Sequence, residues 1–365
     1  AAGVRAVFAG DGPELAAIEA IDPAAVVTGW LDSAQVQEWL GRALPGRTGL
    51  ISPIRTPGPD RLWGYRERVR LHAAVVDRRW RFGMMRQDRL IPLEDCPVQS
   101  PRVNRTLRLL SESLPPELPL AFVAVTFAQV ALVFKSRGVP HLDIEWSKVA
   151  QAGCRGIWGH ANPVAGRRIF SRGEWRLLWG EERSLGDLGT FYGPWSFTQQ
   201  IPELHRDSID EAVRFLSPGV GLGAADLYCG DGVSLRALSS AGAETLGVEI
   251  SGLALRMAKL NSPSSKLLQG TCAQRTPQIG LFMSRFQENQ RLAYVNPPRS
   301  GLEAEVVDLL GTTKVRRLAY LSCSAGTLNR DLDMLEARGY RCRKIIPYDF
   351  FPWTDHVECL ALLDG

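Results

Sequence analysis

The sequence predicts an α/β protein whose C-terminal part is a doubly wound, Rossmann-like parallel sheet, preceded by a smaller α+β domain. Two observations lead to this fold class. From FLSPGVGLGAADLYCGDG (215–232) to the C-terminus, short apolar runs alternate with helical patterns, which is typical of βαβ units. Residues 63–190 instead hold several short strand-like runs, among them RERVRLHAAVV and AFVAVTFAQVALVFK, separated by turn residues.

The chain divides into three predicted parts. Its 365 residues exceed the size of one ordinary domain. Residues 1–60 are predicted to form an N-terminal helical segment and a linker, in which Ser33 caps a helix and proline and glycine interrupt the chain near residue 57. Residues 61–190 are predicted to form the α+β domain, and residues 191–365 the doubly wound domain.

Composition excludes several classes of protein. Apolar residues make up 45% and charged residues 22%, as in ordinary globular proteins. No apolar run approaches the ~18 residues of a membrane-spanning helix, so no membrane partner is expected. Seven cysteines are scattered without a CxxC pair, and the five histidines lack metal-ligand spacing. The sequence therefore predicts a reduced, cytoplasmic protein without a metal site, and we expect a monomer.

A basic segment lies near the start of the middle part. Nine arginines and only three acidic residues occur between Arg61 and Leu90. The alternation in RERVRL places Arg66, Arg68 and Arg70 on one face of a strand. Arginines bind phosphates and aromatic rings stack on unpaired bases, and four aromatic residues are interleaved here: Trp63, Tyr65, Trp80 and Phe82. Any one of these arginines is most often part of a solvated strand face, but the cluster favours nucleic acid.

A glycine loop follows the first strand of the doubly wound part. In AADLYCGDGVSL, Gly230 and Gly232 separate a strand from a helix, which lets a ligand approach the backbone closely. Glu249 ends the next apolar run, where an acid suits two ribose hydroxyls. Without a third glycine the pattern fits S-adenosylmethionine better than a dinucleotide. An ordinary glycine turn beside a surface acid remains the alternative.

Polar residues also follow the later strands. Asn296 precedes two prolines and Arg299, which form a rigid elbow, and Cys323 ends the next apolar run. Because the carboxyl ends of parallel strands share one crevice, Tyr228, Glu249, Asn296 and Cys323 are expected on one rim. A thiolate that adds to carbon 6 of uracil turns carbon 5 into a methyl acceptor. A base must then remove the carbon-5 proton, and Glu358, before the last strand, suits that task.

These residues lie in stretches that resemble the S-adenosylmethionine-dependent RNA uracil-5 methyltransferases of tRNA and 23S rRNA. The resemblance is close over about residues 190–365 and loose over 63–190. The stretches with the family's order and spacing are SFTQ (196–199), DLYCGDG (226–232), GVEIS (247–251), NPPRSGL (296–302), YLSCSAGTLNRDL (320–332) and DFFPWTDHVECLALL (349–363). The resemblance implies a class I methyltransferase domain over 191–365 and an RNA-binding domain over 61–190.

The resemblance also implies the reaction and the roles of single residues. A methyl group would pass from S-adenosylmethionine to carbon 5 of a uridine in rRNA or tRNA, through a covalent adduct between Cys323 and carbon 6. Glu358 would be the general base, and Arg299 would support the elbow or a phosphate. The implied contacts to the cofactor or the base are Gln199, Tyr228, Glu249 and Asn296.

Several positions depart from the family pattern, among them Asn296, Val233, Ile201 and the SCSA around Cys323, where the family usually reads Ser-Cys-Asn-Pro. The family usually has Asp where this chain has Asn296, and Asn where it has Val233 and Ile201. Asn both donates and accepts hydrogen bonds, whereas the aspartate only accepts them. Many relatives also carry an N-terminal oligonucleotide-binding barrel and an iron–sulfur cysteine cluster. Neither is visible in this sequence, where Cys96 alone resembles the last member of that cluster, so no iron–sulfur cluster is expected.

Three other interpretations compete with this one. A diverged member could act on another base, because Asn296 could suit cytosine, whose ring nitrogen accepts where that of uracil donates. A non-catalytic RNA-binding protein could retain a decayed methyltransferase fold. An adenine-N6 methyltransferase would also use Asn-Pro-Pro, but there an aromatic residue follows instead of Arg299 and no cysteine is needed.

Overall fold

The computed structural model describes residues 33–166, 169–170, 173–354 and 356–365. The predicted segment 1–60 therefore lies partly outside the described residues. The chain forms two compact units: the first holds Gly58–Gly186 and Phe191–Gln200, and the second holds the described residues up to Pro57, Asp187–Thr190 and Ile201–Gly365. The prediction of a helical segment with a linker over 1–60, an RNA-binding domain over 61–190 and a methyltransferase domain over 191–365 stays a prediction.

The first helix, α1 (Ser33–Ala43), belongs to the second unit. The predicted role of Ser33 as the cap of this helix stays a prediction. Val36, Leu40 and Leu44 recur at intervals of four residues, so they lie on one side of the helix. All three are buried in the hydrophobic core of the second unit. This N-terminal segment is therefore part of the core that supports the doubly wound sheet.

The first unit is built on a seven-stranded sheet with the order β3-β2-β1-β4-β5-β6-β7, in which only β5 and β6 run parallel. Two helices and a short strand pair complete this unit. The elements are β1 (Arg68–Val76), β2 (Arg79–Arg86), β3 (Arg89–Pro92), α2 (Pro101–Ser113), β4 (Leu120–Thr126), β5 (Gln129–Phe134), α3 (Trp146–Ala150), β6 (Gly156–Ala161), β7 (Trp175–Gly180), β8 (Ser184–Leu185) and β9 (Phe191–Tyr192).

The apolar run AFVAVTFAQVALVFK forms two strands rather than one. Strands β4 and β5 pair in antiparallel fashion, with Thr126 opposite Gln129. Between them Phe127 adopts φ +50°, a left-handed conformation that allows a tight reversal of the chain. The turn contains no proline or glycine, so the sequence has no conventional signal for it.

The second unit contains the doubly wound sheet, with the order β12-β11-β10-β13-β14-β16-β15. The order reverses between β10 and β13, which places the topological switch point at the end of β10. The elements are α4 (Pro202–Leu216), β10 (Gly223–Leu227), α5 (Val233–Ser240), β11 (Glu244–Glu249), α6 (Gly252–Asn261), β12 (Lys266–Gln269), α7 (Thr276–Met283), β13 (Arg291–Val295), α8 (Ala304–Thr313), β14 (Arg317–Ser322), α9 (Ala325–Glu336), β15 (Arg341–Tyr348) and β16 (Glu358–Asp364).

One strand departs from the parallel sheet that the sequence predicts. Strand β16 pairs in antiparallel fashion with both β14 and β15, whereas β10 to β14 all run parallel to one another. The start of β16 therefore lies at the edge where the parallel strands end. Within the described part of the chain, no helix is long and apolar enough to cross a membrane.

Truncation of Leu40 to alanine should destabilise the second unit. Leu40 is fully buried, so Leu40→Ala should lower the free energy of unfolding by about 2–5 kcal/mol through lost burial and a residual cavity. Urea unfolding measures this loss. Glu38→Ala is the matched control, because Glu38 is exposed and only pairs with Arg42 at 3.8 Å, so a change below about 1 kcal/mol is expected. Equal losses would contradict the packing of α1 in this core.

Candidate active site

The predicted thiol and carboxylate meet at the ends of two paired strands. Strand β14 ends at Ser322, which lies opposite Cys359 on β16. Cys323 directly follows Ser322, and Glu358, the first residue of β16, directly precedes Cys359, so both lie at the same end of this strand pair. The Glu358 carboxylate is near enough to act electrostatically on the Cys323 thiol. Cys323 is half-buried, whereas Glu358 is only 5% exposed. The two groups that the sequence placed on one rim are thus neighbours.

Charge and burial act on the thiol of Cys323 in opposite directions. Burial raises the pKa of the Cys323 thiol above its ordinary value, and the nearby Glu358 carboxylate raises it further. The positive charge of Arg299 acts the other way and lowers this pKa. The other six cysteines, all described by the structure, are buried. Cys323 is thus the cysteine best placed to react with a molecule from solution.

The glycine loop connects β10 to α5 through left-handed residues. Tyr228, Gly230 and Gly232 have φ values of +65°, +52° and +81°. A Cβ atom at Gly232 would lie 3.0 Å from the Cα of Ala258 on α6, so glycine permits close helix packing there. A Cβ at Gly230 would have no neighbour within 4 Å, so its surroundings are open. The loop therefore leaves open space beside the backbone of Gly230.

The predicted ribose-binding acid lies beside this open position. Glu249 ends β11 and is half-buried. Its Oε2 accepts a hydrogen bond from the Gly230 amide at 3.2 Å, and its Oε1 accepts one from the Ser251 amide at 2.7 Å. The next residue, Ile250, is 65% exposed although it is apolar. A carboxylate and an apolar side chain are thus presented together at the glycine loop.

The elbow after β13 approaches the same loop. The amide of Asn296 donates a hydrogen bond to the carbonyl of Leu227, the last residue of β10, at 3.3 Å. Asn296 is half-buried and Arg299 is exposed. The structure therefore brings Tyr228, the two glycines, Glu249, Asn296, Arg299, Cys323 and Glu358 to one edge of the second unit's sheet.

Two acids of this region were missed by sequence reasoning. The hydroxyl of Tyr228 donates a hydrogen bond to Glu303, the residue before α8. Burial raises the pKa of Tyr228, with further contributions from Cys272 and Glu303. Asp226 is fully buried on β10 and accepts a hydrogen bond from Ser234 at 2.6 Å. Burial raises the pKa of Asp226 to about 7. The only signal in the sequence was an acid inside the apolar run AADL.

The predicted basic residues belong to the first unit. The guanidinium of Arg68 lies 4.6 Å from the ring centre of Phe197, and that of Arg70 lies 5.0 Å from the ring centre of Phe170. Arg66 precedes β1 and its backbone pairs with Gln99. Arg68 and Arg70 share the strand face opposite the buried Val69 and Leu71, as the alternation predicts.

Three of the four interleaved aromatic residues differ from the expectation, whereas Trp63 is exposed. Tyr65, Trp80 and Phe82 are buried, so they cannot stack on a base. Trp80 and Phe82 occupy the inward positions of β2 and pack in the hydrophobic core. The aromatic partners of the arginines instead come from distant parts of the chain, at Phe170 and Phe197.

Gln199, predicted as a cofactor or base contact, is buried and belongs to the first unit. The described residues contain no cluster of His, Cys, Asp and Glu that could hold a metal ion.

Comparisons with known sequences point to one group of enzymes. The family model described as tRNA (Uracil-5-)-methyltransferase matches residues 275–365. A protein named as an uncharacterized RNA methyltransferase of Halalkalibacterium halodurans is 26% identical over 90% of this chain and 77% of its own length. The 23S rRNA (uracil(1939)-C(5))-methyltransferase RlmD of Thiobacillus denitrificans is 28% identical over 90% of this chain and 78% of its own length.

A solved structure shares the fold. The tRNA (uracil-54, C5)-methyltransferase of Pyrococcus abyssi, in complex with S-adenosyl-L-homocysteine, superposes with a TM-score of 0.67 at 21% sequence identity. The match covers 91% of this chain and 82% of that chain. The predicted fold class, an α/β protein with a C-terminal Rossmann-like sheet preceded by a smaller α+β domain, is confirmed.

The buried carboxyl of Asp226 should make stability depend on pH. Its ordinary pKa of 3.8 rises to about 7 in the folded protein, so folding is progressively disfavoured as pH rises through this window. Asp226→Asn removes this penalty. Between pH 4 and pH 8 the variant should gain on the order of 4 kcal/mol of unfolding free energy relative to the wild type, measured by urea unfolding. Parallel pH curves for the two proteins would contradict the prediction.

Proposed function

We propose a function from one premise: this chain belongs to the S-adenosylmethionine-dependent RNA uracil-5 methyltransferase family. We infer that it methylates carbon 5 of a uridine in an rRNA or a tRNA. The observation that carries this proposal is that Cys323 and Glu358 lie at the same end of two paired strands, where the carboxylate acts on the thiol. This reaction requires a nucleophile and a base on one substrate, and the paired strands present both groups side by side.

The residues of the glycine loop fit S-adenosylmethionine. The open position at Gly230 accommodates a ligand against the backbone, and the Glu249 carboxylate is an acceptor suited to ribose hydroxyls. The exposed Ile250 offers an apolar surface for a purine ring. When bound, S-adenosylmethionine would supply an electrophilic methyl group. We assign Tyr228, Gly230, Gly232, Glu249 and Asn296 to this site.

In the proposed reaction Cys323 acts as the nucleophile and Glu358 acts as the general base. The Cys323 thiolate adds to carbon 6 of the uracil, which makes carbon 5 nucleophilic. Once carbon 5 carries the methyl group, the Glu358 carboxylate accepts its remaining proton. The bond between sulfur and carbon 6 then breaks, the double bond between carbons 5 and 6 returns, and the thiolate is regenerated. A buried carboxylate next to the reacting carbon suits this proton transfer.

RNA binding is proposed for the arginines. Arg66, Arg68 and Arg70 lie at or before β1, and Phe197 beside Arg68 is more than half exposed. Guanidinium groups bind phosphates and a ring of this kind can stack on an unpaired base. Arg299, exposed on the elbow, is proposed to contact the RNA or to support the elbow.

RNA that contains 5-fluorouridine should trap the proposed adduct. Fluorine at carbon 5 cannot be removed as a proton, so the bond between Cys323 and carbon 6 should persist. Wild-type protein with cofactor should give a denaturation-resistant complex on gels, and Cys323→Ala should give none. Adduct with 5-fluorocytidine RNA instead would indicate a changed base. Absence of any adduct, or equal adduct with Cys323→Ala, would refute the nucleophile assignment.

Glu358→Gln supplies the second arm of this experiment. With ordinary RNA the variant should still add to the base and accept the methyl group, but it should release product slowly because glutamine cannot take the proton. A roughly 100-fold or greater fall in turnover is expected from typical acid–base contributions. Unimpaired turnover would refute the role of Glu358 as base.

Loss of two arginines should weaken RNA binding in a salt-dependent manner. The variant Arg68→Gln/Arg70→Gln should bind RNA less tightly, with the slope of log affinity against log salt reduced by about 1 to 2. Filter binding at several salt concentrations measures both quantities. Arg89→Gln, at an exposed position of the edge strand β3 in the same sheet, is the charge control. An equal loss in the control would mean that only overall charge matters.

A further inference from the structure

A buried carboxylate on the helix that follows the thiol has no part in the proposed chemistry. Asp331 is on α9, the helix that begins two residues after Cys323, and its side chain is 0% exposed. Buried carboxylates are costly unless hydrogen bonds compensate for lost hydration. The hydrogen-bond partners of Asp331 therefore indicate which parts of the structure this carboxylate connects.

Asp331 joins the strand of the nucleophile to the elbow. Its Oδ2 accepts a hydrogen bond from the hydroxyl of Tyr320 at 2.6 Å and another from the amide of Leu302 at 2.8 Å. Tyr320 is on β14, three residues before Cys323, and Leu302 lies in the elbow after Arg299. One carboxylate oxygen thus fixes these two parts of the site to each other.

The neighbouring Arg330 holds the other side of the elbow. Its Nη2 donates to the carbonyl of Ser300 at 2.8 Å, and its guanidinium also donates to Asp331 Oδ1. Gly301, between the two anchored residues, has φ +77°, and a Cβ there would lie 2.4 Å from Asp331 Oδ2. The backbone is therefore held on both sides of a glycine that the close approach requires.

This anchored segment directly follows Arg299. Among the described residues, the charged groups that act on the Cys323 thiol are Glu358, on β16, which raises its pKa, and Arg299, on the elbow, which lowers it together with a backbone hydrogen bond. Arg299 is exposed, and its backbone continues directly into the anchored residues 300–302. Its distance from the thiol consequently depends on how firmly the backbone of residues 300–302 is held.

We propose that Asp331 is a positioning residue for the thiol: through the anchored elbow it keeps Arg299 where its positive charge stabilises the Cys323 thiolate. This inference rests on the proposed role of Cys323 as nucleophile. It assigns to Asp331 an effect on reactivity in addition to its effect on folding. A carboxylate that only satisfied Tyr320 and Arg330 would stabilise the fold and leave the thiol unchanged.

The pH dependence of Cys323 alkylation tests the proposal. Iodoacetamide is applied to the full chain without RNA or cofactor, and the modified Cys323 peptide is quantified by mass spectrometry. Asp331→Asn should raise the apparent pKa of alkylation by about half a unit, an effect reduced by the solvent around Arg299. The sign is decisive, because loss of a negative charge near the thiol would by itself lower the pKa. An unchanged or lowered pKa overturns the proposal.

Two further variants show whether the effect passes through Arg299. Arg299→Gln should raise the apparent pKa by a similar amount, and adding Asp331→Asn to it should raise it no further. Additive shifts in the double variant would overturn the proposal, since they would mean that Asp331 acts by another route. The alkylation pKa of Cys323 can be measured even if the protein does not methylate RNA. Failure of the proposed function is therefore distinguishable from failure of this inference.

A matched control and a milder variant guard against a folding defect. Asp333, two residues further along α9, is 60% exposed and pairs with Arg47 at 2.6 Å. Asp333→Asn should leave the alkylation profile unchanged, and a rise equal to that of Asp331→Asn would overturn the proposal. Arg330→Gln should fold even if Asp331→Asn does not, because Arg330 is half-exposed. It should raise the alkylation pKa in the wild type and not in the Arg299→Gln background; any other pattern overturns the proposal.

Discussion

The antiparallel register between β14 and β16 is the constraint on which the candidate active site depends. Because β16 runs against its neighbours, its first residue reaches the sheet edge where the parallel strands end. Glu358 therefore lies beside Cys323, although the two are far apart in sequence. A parallel last strand would have placed the carboxylate at the opposite edge of the sheet. The glycine loop and the elbow reach the same edge because their strands are parallel to β14.

This proximity has a cost for the nucleophile. Burial opposes ionisation of the Cys323 thiol, and the Glu358 carboxylate, which we propose as the base, adds to the effect. The positive charge of Arg299 acts in the other direction, and it comes from an elbow whose following residues are fixed by Asp331 and Arg330. In our proposal the site meets two opposed requirements. The Glu358 carboxylate must be buried beside carbon 5 of the uracil, and the Cys323 thiol must still be able to ionise.

Local patterns in the sequence identified most of the residues that meet at this edge. Glycine, proline and polar residues at strand ends have short-range physical reasons, so Gly230, Asn296 and Cys323 could be recognised without a structure. Composition alone wrongly predicted that Trp80 and Phe82 of the basic segment stack on bases. Strand alternation points both side chains into the hydrophobic core. Glu303 was missed because its contact with Tyr228 joins residues that are 75 positions apart.

The sequence by itself determined the alternation of strands and helices, the glycine loop and the strand-end motifs, since each depends on the conformational preferences of a few neighbouring residues. Only the tertiary structure decided the direction of β16, the partners of the arginines and the anchoring of the elbow by Asp331. These features depend on strand register and on hydrogen bonds between distant segments. They arise when the whole chain buries its apolar surface and pairs its buried polar groups.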